Sequence, residues 1–274
     1  MPPSSEVALA ALLLAAPSVV GSAPPGSSAP PALARLSFVE RRVERSSEQG
    51  WHEAKEGAPV LLGERLRTAA DALARLDLPW MTMTVSPAST VAFPDAYLLS
   101  AVLERGRMQV HAEKRETLKL VTGEAEVRGQ GWVVVRREGK ATLVTSLAGR
   151  FLVEGAGKSV ALPAGTGTIV REGKPPLPPQ ALPEAPQGLV PGSDPQYVAP
   201  GDTVSLSWTP RGATHQVEVL PVGSDDVLIQ RDVGAPPWRV AIPWPGAFRW
   251  RVAARDERGL EGKPSAEGLI CIEK

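Results

Sequence analysis

The 274-residue chain has one cysteine, Cys271. An intramolecular disulfide is excluded, and so is a metal site built from several thiolates. Histidine occurs three times, as His52, His111 and His215. These three have neither metal-site spacing nor neighbouring carboxylates arranged as ligands. No glycine-rich phosphate loop, zinc-protease helix or nucleophile elbow is present. Acidic and basic side chains balance at 30 each, so the net charge is zero. With no cationic excess to neutralise phosphates, nucleic acid is not an expected partner. No stretch reaches the roughly 20 apolar residues of a membrane helix, so no transmembrane span is expected. The expectation is a protein that is not an enzyme, with no cofactor and no metal.

What is present suits a globular chain: 43% of residues are hydrophobic and 22% charged. Residues 7–20 form an Ala- and Leu-rich run interrupted only by Pro17 and Ser18, the length of a signal-peptide apolar segment. The expectation is a signal peptide over residues 1–22, cleaved after Ser22, and a disordered Pro/Ser/Gly tether over 23–34. Export to the periplasm or cell envelope follows. A second break covers residues 174–198 and begins KPPLPPQALPEAPQGLVPGSDP. Prolines this dense fix φ and remove backbone donors, so an extended, semi-stiff linker with little packed core is expected. Two domains result, at 35–173 and 199–274.

Both alternate with a period of two, the mark of half-buried strands. Met81, Met83 and Val85 alternate with threonines; Val204, Leu206 and Trp208 alternate with serines. Trp238, Val240 and Ile242 continue the pattern, as do Phe248, Trp250 and Val252, with Arg249 and Arg251 expected in solvent. Turns are expected at Arg137-Glu138-Gly139-Lys140, Leu147-Ala148-Gly149, Pro163-Ala164-Gly165 and Asp256-Glu257-Arg258-Gly259. One segment conflicts. In ERLRTAADALARLDL, Leu66, Ala69, Ala70 and Leu73 recur at helical spacing among helix formers.

The first domain resembles the FecR family of bacterial envelope proteins. Trp51, Ala54 and Gly57 are followed by LLGERLRT at residues 61–68, similar to that family's run of leucine, Gly-Asp, an apolar residue and Arg-Thr, with Gly63-Glu64 replacing Gly-Asp. Further similarity lies in Leu103 to Val110, in Leu120-Val121-Thr122 with Val127-Arg128-Gly129, and in Val160 to Gly165. Gln130 stands where threonine is usual, and Asp77-Leu78-Pro79-Trp80 replaces an Asp-Gly turn. The resemblance implies a β-solenoid or sandwich domain and makes residues 65–78 a strand and turn rather than a helix. It also implies envelope signalling, although the cytoplasmic anti-sigma segment and membrane helix of such regulators are not expected here. The second domain resembles a small fibronectin type III or immunoglobulin-like β-sandwich, carried by Ser205 to Trp208 and by Gly246 to Val252. His215 stands where tyrosine is often found, and at about 76 residues the domain lacks room for a full set of strands. The fold class is therefore all-β.

Candidate contact residues are few. Asp225-Asp226 could ligate Ca²⁺, but a polar hairpin tip explains the pair better. The mixed charges of residues 40–48 read as a solvated strand face. Trp208, Trp238 and Trp250 fall on alternating apolar faces and belong in a core. Trp80 and Trp244, each beside a proline, are the expected contact surface. The resulting expectation is a non-enzymatic scaffold or sensor module binding an envelope protein, or alternatively a cell-wall glycan through exposed aromatics.

Overall fold

The computed structural model describes residues 32–95, 100–112 and 117–273. The signal segment and most of the expected tether lie outside the described residues. Within them the chain is all-β: strands and their connections, with no helix. In strand Met81–Val85 the methionines and valine are buried while the threonines on the other face are only half-buried, as alternation requires. The ambiguous segment forms strands Arg65–Thr68 and Leu73–Leu78, joined by a turn at Ala70 and Asp71. Leu66, Leu73 and Leu76 are buried there, Leu76 opposite Leu36 on strand Ala32–Glu40. Partners on both sides overrode the local helical preference.

Fifteen strands form one hydrogen-bonded network from Ala32 to Ala181. Its long strands change partners along their length. Glu126–Glu138 pairs first with Leu118–Val121 and then with Ser100–Ala112. Ala141–Gly155 pairs with Thr166–Arg171 at one end and Lys158–Pro163 at the other. Such strands turn the corner of a sandwich and carry the chain between layers. The expected turn at Leu147-Ala148-Gly149 is this corner, not a chain reversal. Trp132 faces Ala148 and Val133 faces Ser146, leaving Leu147 as the extra residue of a bulge. Gly149 has φ +85, and a Cβ there would overlap the backbone oxygen of Gln130. The turns at Gly139-Lys140, Ala164-Gly165 and Asp256 to Gly259 occur as expected.

The second body is a sandwich. One sheet orders Gln187–Val190, Thr203–Thr209 and Trp238–Ala241. The other orders Gln196–Val198, Gly268–Ile272, Gly246–Arg255, Thr214–Pro221 and Ile229–Val233, with Glu261–Pro264 on Gly246–Arg255. Val204, Leu206, Trp208, Phe248, Trp250 and Val252 meet between them. The strands that a 76-residue domain lacked come from the expected linker: Gln187–Val190 joins one sheet and Gln196–Val198 the other. Trp250 anchors this entry segment, its indole N–H donating to Pro191 O at 3.0 Å.

Two further expectations are corrected. The first strand starts at Ala32, inside the expected tether, because Ala34 and Leu36 alternate into the core. The proline-rich segment is extended but does not hold two bodies apart. Leu177 N donates to Ile169 O, Leu182 N to Gly165 O, and Gln180–Ala181 pairs with Thr166–Arg171. An edge position tolerates proline because its outward side has no strand to donate to. Pro31–Lys274 is one compact unit. Leu73, Leu220 and Val227 cluster across the joint, as do Leu143, Ile169 and Leu260 with Leu182.

Candidate functional site

The register of two strands places unlike charges at this joint. On Ser100–Ala112, Met108 and Val110 enter the core of the first body, so Arg107 and Gln109 face the other way. On Gly246–Arg255, Trp250, Val252 and Ala254 are buried on one side, while Arg249, Arg251 and Arg255 face the other. The two outward faces meet. Glu261 arrives between them by the Asp256–Gly259 turn, where Asp256 accepts hydrogen bonds from the backbone N–H of Arg258 and Leu260.

Arg107 donates to both oxygens of Glu261, from Nε at 3.1 Å and Nη2 at 2.6 Å. Arg255 donates to the same carboxylate from Nε at 3.0 Å and pairs with Asp232 at 2.7 Å. All three members of the Arg–Glu–Arg group are more than nine-tenths buried. Burial alone would push the Glu261 carboxyl up, but Arg107 and Arg255 outweigh it and hold its pKa at about 2. Burial likewise opposes charge on Arg255, and Glu261 and Asp232 reverse that effect and raise its pKa. Arg251 donates to Glu218 at 2.8 Å, extending the polar seam. The expectation that Arg249 and Arg251 point into solvent is therefore corrected, since their face is covered by the first body and by loop residues Ser224 and Asp225.

An open groove lies at each end of the buried charges. One, of about 360 Å³, takes walls from both bodies: Ser86, Arg107 and Arg136 from the first, and Gln230, Arg231 and Arg255 from the second. Ala88, also in its lining, holds a left-handed φ of 54°, unusual for a residue with a Cβ. The other groove, of about 240 Å³, is lined by Thr82, Thr84, Gln109, His111, Trp132 and Arg251, among others. Cross-strand pairing aligns Thr82, His111 and Trp132 in one row.

Neither groove contains Trp80 or Trp244. Trp80 is half-buried against the first core, and Trp244 is half-buried against the second. They belong to different bodies. Pro79 and Trp80 make a two-residue reversal in which Leu78 faces Met81, and this supplies the geometry that replaces Asp-Gly. Asp225 and Asp226 do not converge on one point. Asp225 pairs with Arg249 at 2.6 Å, and Asp226 with Arg75 of the first body at 3.3 Å. His52 is exposed and hydrogen-bonds Ser47. His215 is buried edge-on to Trp208, between the backbone N–H of Arg211 and the carbonyl of Gly234. Accepting at Nε2 and donating at Nδ1 assigns the neutral tautomer, and burial lowers its pKa. Cys271 is half-buried in the last strand. Among the described residues, no three His, Cys, Asp or Glu side chains group as they would to hold a metal ion.

Arg107, Glu261 and Arg255 were missed because a charged residue opposite a core position reads as solvated. The signal that could have found them is the company they keep. Ala253 lies on the supposedly polar face of its strand and is buried.

No family model and no curated protein matches the chain. Two crystal structures of a candidate anti-sigma factor from Parabacteroides distasonis are similar at 14% identity and a TM-score of 0.37, each covering 43% of this chain. This chain spans 59% of the length of theirs. A likeness at that level leaves function to be argued from the residues.

Proposed function

We propose that this chain is a non-enzymatic, exported module of the cell envelope, FecR-like in its first body and immunoglobulin-like in its second, which binds another macromolecule as a scaffold or sensor. The observation that carries the reading is the structural use made of the FecR-like residues. The Arg67 guanidinium lies 4.1 Å from the centre of the Trp51 ring. Gly57 and Gly63 take left-handed turns at φ +81 and +83. The Thr68 hydroxyl, buried, donates to Ser86 O at 2.6 Å and accepts from Ser89 N at 3.0 Å. These residues fasten neighbouring hairpins to one another, which supports reading the resemblance as one of fold. The two sheets of the second body, three strands in one and a longer set in the other, support the immunoglobulin-like reading. No helix among the described residues is long and apolar enough to cross a membrane.

The test is retention on the immobilised full chain. A protein from an envelope fraction should bind saturably and be displaced by free chain. Absence of any saturable protein partner, or turnover of a substrate by the purified chain, overturns the reading.

The Thr82–His111–Trp132 row favours a glycan as the second reading, because aromatic rings beside hydroxyl and amide groups suit sugar faces and edges. Pull-down with insoluble peptidoglycan checks it, and Trp132→Ala should abolish retention if the groove takes sugar.

A further inference from the structure

The sheet face that receives the first body extends beyond it. Leu220 packs with Leu73 of the first body, and Arg255 shares Glu261 with Arg107. Past Arg249 the same face continues across Gly268–Ile272 to the edge strand Gln196–Val198. Ile270 and Ile272 enter the core, so Leu269 and Cys271 face outward with Arg249. Pairing sets Tyr197 beside Cys271, and Cys271 beside Ala247. Val222 N donates to Ala247 O and extends this row. Tyr197 is 68% exposed and Val222 54%. A continuous apolar row at the surface marks an interaction site.

The edge beside the row is unpaired. Gln196–Val198 has one neighbour, Gly268–Ile272, in parallel register. Val198 O accepts from Glu273 N, so Gln196 and Val198 bond inward, and Tyr197 turns both its N–H and its C=O to the free side. None of the three residues carries the charge that commonly guards such an edge. The rim, by contrast, is acidic. Asp194, Asp202 and Glu273 are exposed and form no ion pair among the described residues. Arg249 is already shared by Asp225 and Glu267. A second copy placed on this edge would bring like charges together, which disfavours self-pairing.

We propose that the edge takes an extended basic segment of a partner protein as an added strand. Its backbone pairs with Tyr197, its apolar side chains cover Tyr197, Cys271 and Ala247, and its Lys or Arg side chains meet the acidic rim. The proposal rests on the reading of this chain as a binder of macromolecules, and names the surface and the partner's chemistry.

The experiment is an anisotropy titration of labelled, end-blocked Lys-Val-Lys-Val-Lys-Val with the full chain to about 1 mM, the weak end of specific affinity. Saturable binding is expected, at least about tenfold tighter than for Glu-Val-Glu-Val-Glu-Val. Lys-Lys-Lys-Val-Val-Val has the same composition without alternation and should also bind at least about tenfold more weakly. Tyr197→Ser should weaken binding about tenfold or more, and its exposure keeps the variant folded. Leu152→Ser, at an exposed apolar position of the first body, should leave affinity unchanged. Absence of saturable binding, equal binding of the acidic peptide, or unchanged affinity in Tyr197→Ser overturns the proposal. Dimerisation of the full chain that Tyr197→Ser abolishes also overturns it, and assigns the face to a second copy. Peptide failure with an envelope protein still captured overturns this surface alone; absence of any captured protein overturns the wider reading.

Discussion

Arg107 and Glu261 stand 154 positions apart in the chain and meet as a bidentate ion pair, 2.6 and 3.1 Å, sealed between two β bodies. Neither body can bury its own half of this pair unaided. A lone carboxylate or guanidinium at that depth would have to be hydrated or neutralised. The joint is thus a place where separation of the bodies and ionisation are one event.

Removing the carboxylate should expose that dependence. Glu261→Gln leaves Arg107 without its carboxylate beside Arg255, which keeps only the largely exposed Asp232, and the expected loss is about 3–5 kcal/mol. A urea melt of the full chain measures it. A loss below about 1 kcal/mol would mean that the pair is hydrated in solution and contributes little.

Acid should act through the same carboxylate. Its pKa is about 2 in the folded chain against the ordinary 4.5, so its contribution is complete above 4.5 and disappears as pH falls towards 2. The shift corresponds to roughly 3 kcal/mol. His215 works in the same direction at higher pH, because a histidine held neutral by burial loses stability as pH falls below its ordinary 6.5. Urea midpoints at pH 7, 5 and 3 should fall in that order, and Glu261→Gln should flatten the lower step.

Gly149 should not tolerate a side chain. Alanine there meets both a left-handed φ and the backbone oxygen of Gln130, and neither neighbour is a side chain free to swing away. Gly149→Ala is expected to cost about 2–4 kcal/mol. Gly157→Ala is the control: it shares the positive φ but has open space around it, and it should cost about 1 kcal/mol.

Much of the fold could be read from period-two alternation. Met81 to Val85 and Phe248 to Val252 are buried on the faces that the pattern assigns. What could not be read depends on partners distant in sequence. Glycine at 149 suits a reversal and a bulge equally, and only the pairing of Trp132 with Ala148 distinguishes them. Proline density at 174–186 describes a free spacer and an edge strand in the same terms, since both do without outward donors. The buried ion pair was harder still: Arg107 and Glu261 carry no local motif and meet only across 154 positions of chain.

The seam also predicts how the chain comes apart. Separately produced 32–181 and 187–274 would each expose half of the leucine clusters at the joint. Leu73 and Leu143 belong to one piece, Leu220 and Leu260 to the other. Each would also strand a buried charge, Arg107 or Glu261. The full chain should therefore unfold in a single transition, and each piece should melt earlier than the whole or fail to stay soluble. The proline-rich segment should resist limited proteolysis until that transition, because Leu177 and Leu182 are hydrogen-bonded to the neighbouring strand and its turn. Calorimetry of the three proteins, with trypsin digestion of the full chain, checks both points. Two separate transitions in the full chain, or early cleavage at Lys174, would mean that the bodies are joined only by the linker and that the buried ion pair opens freely in solution.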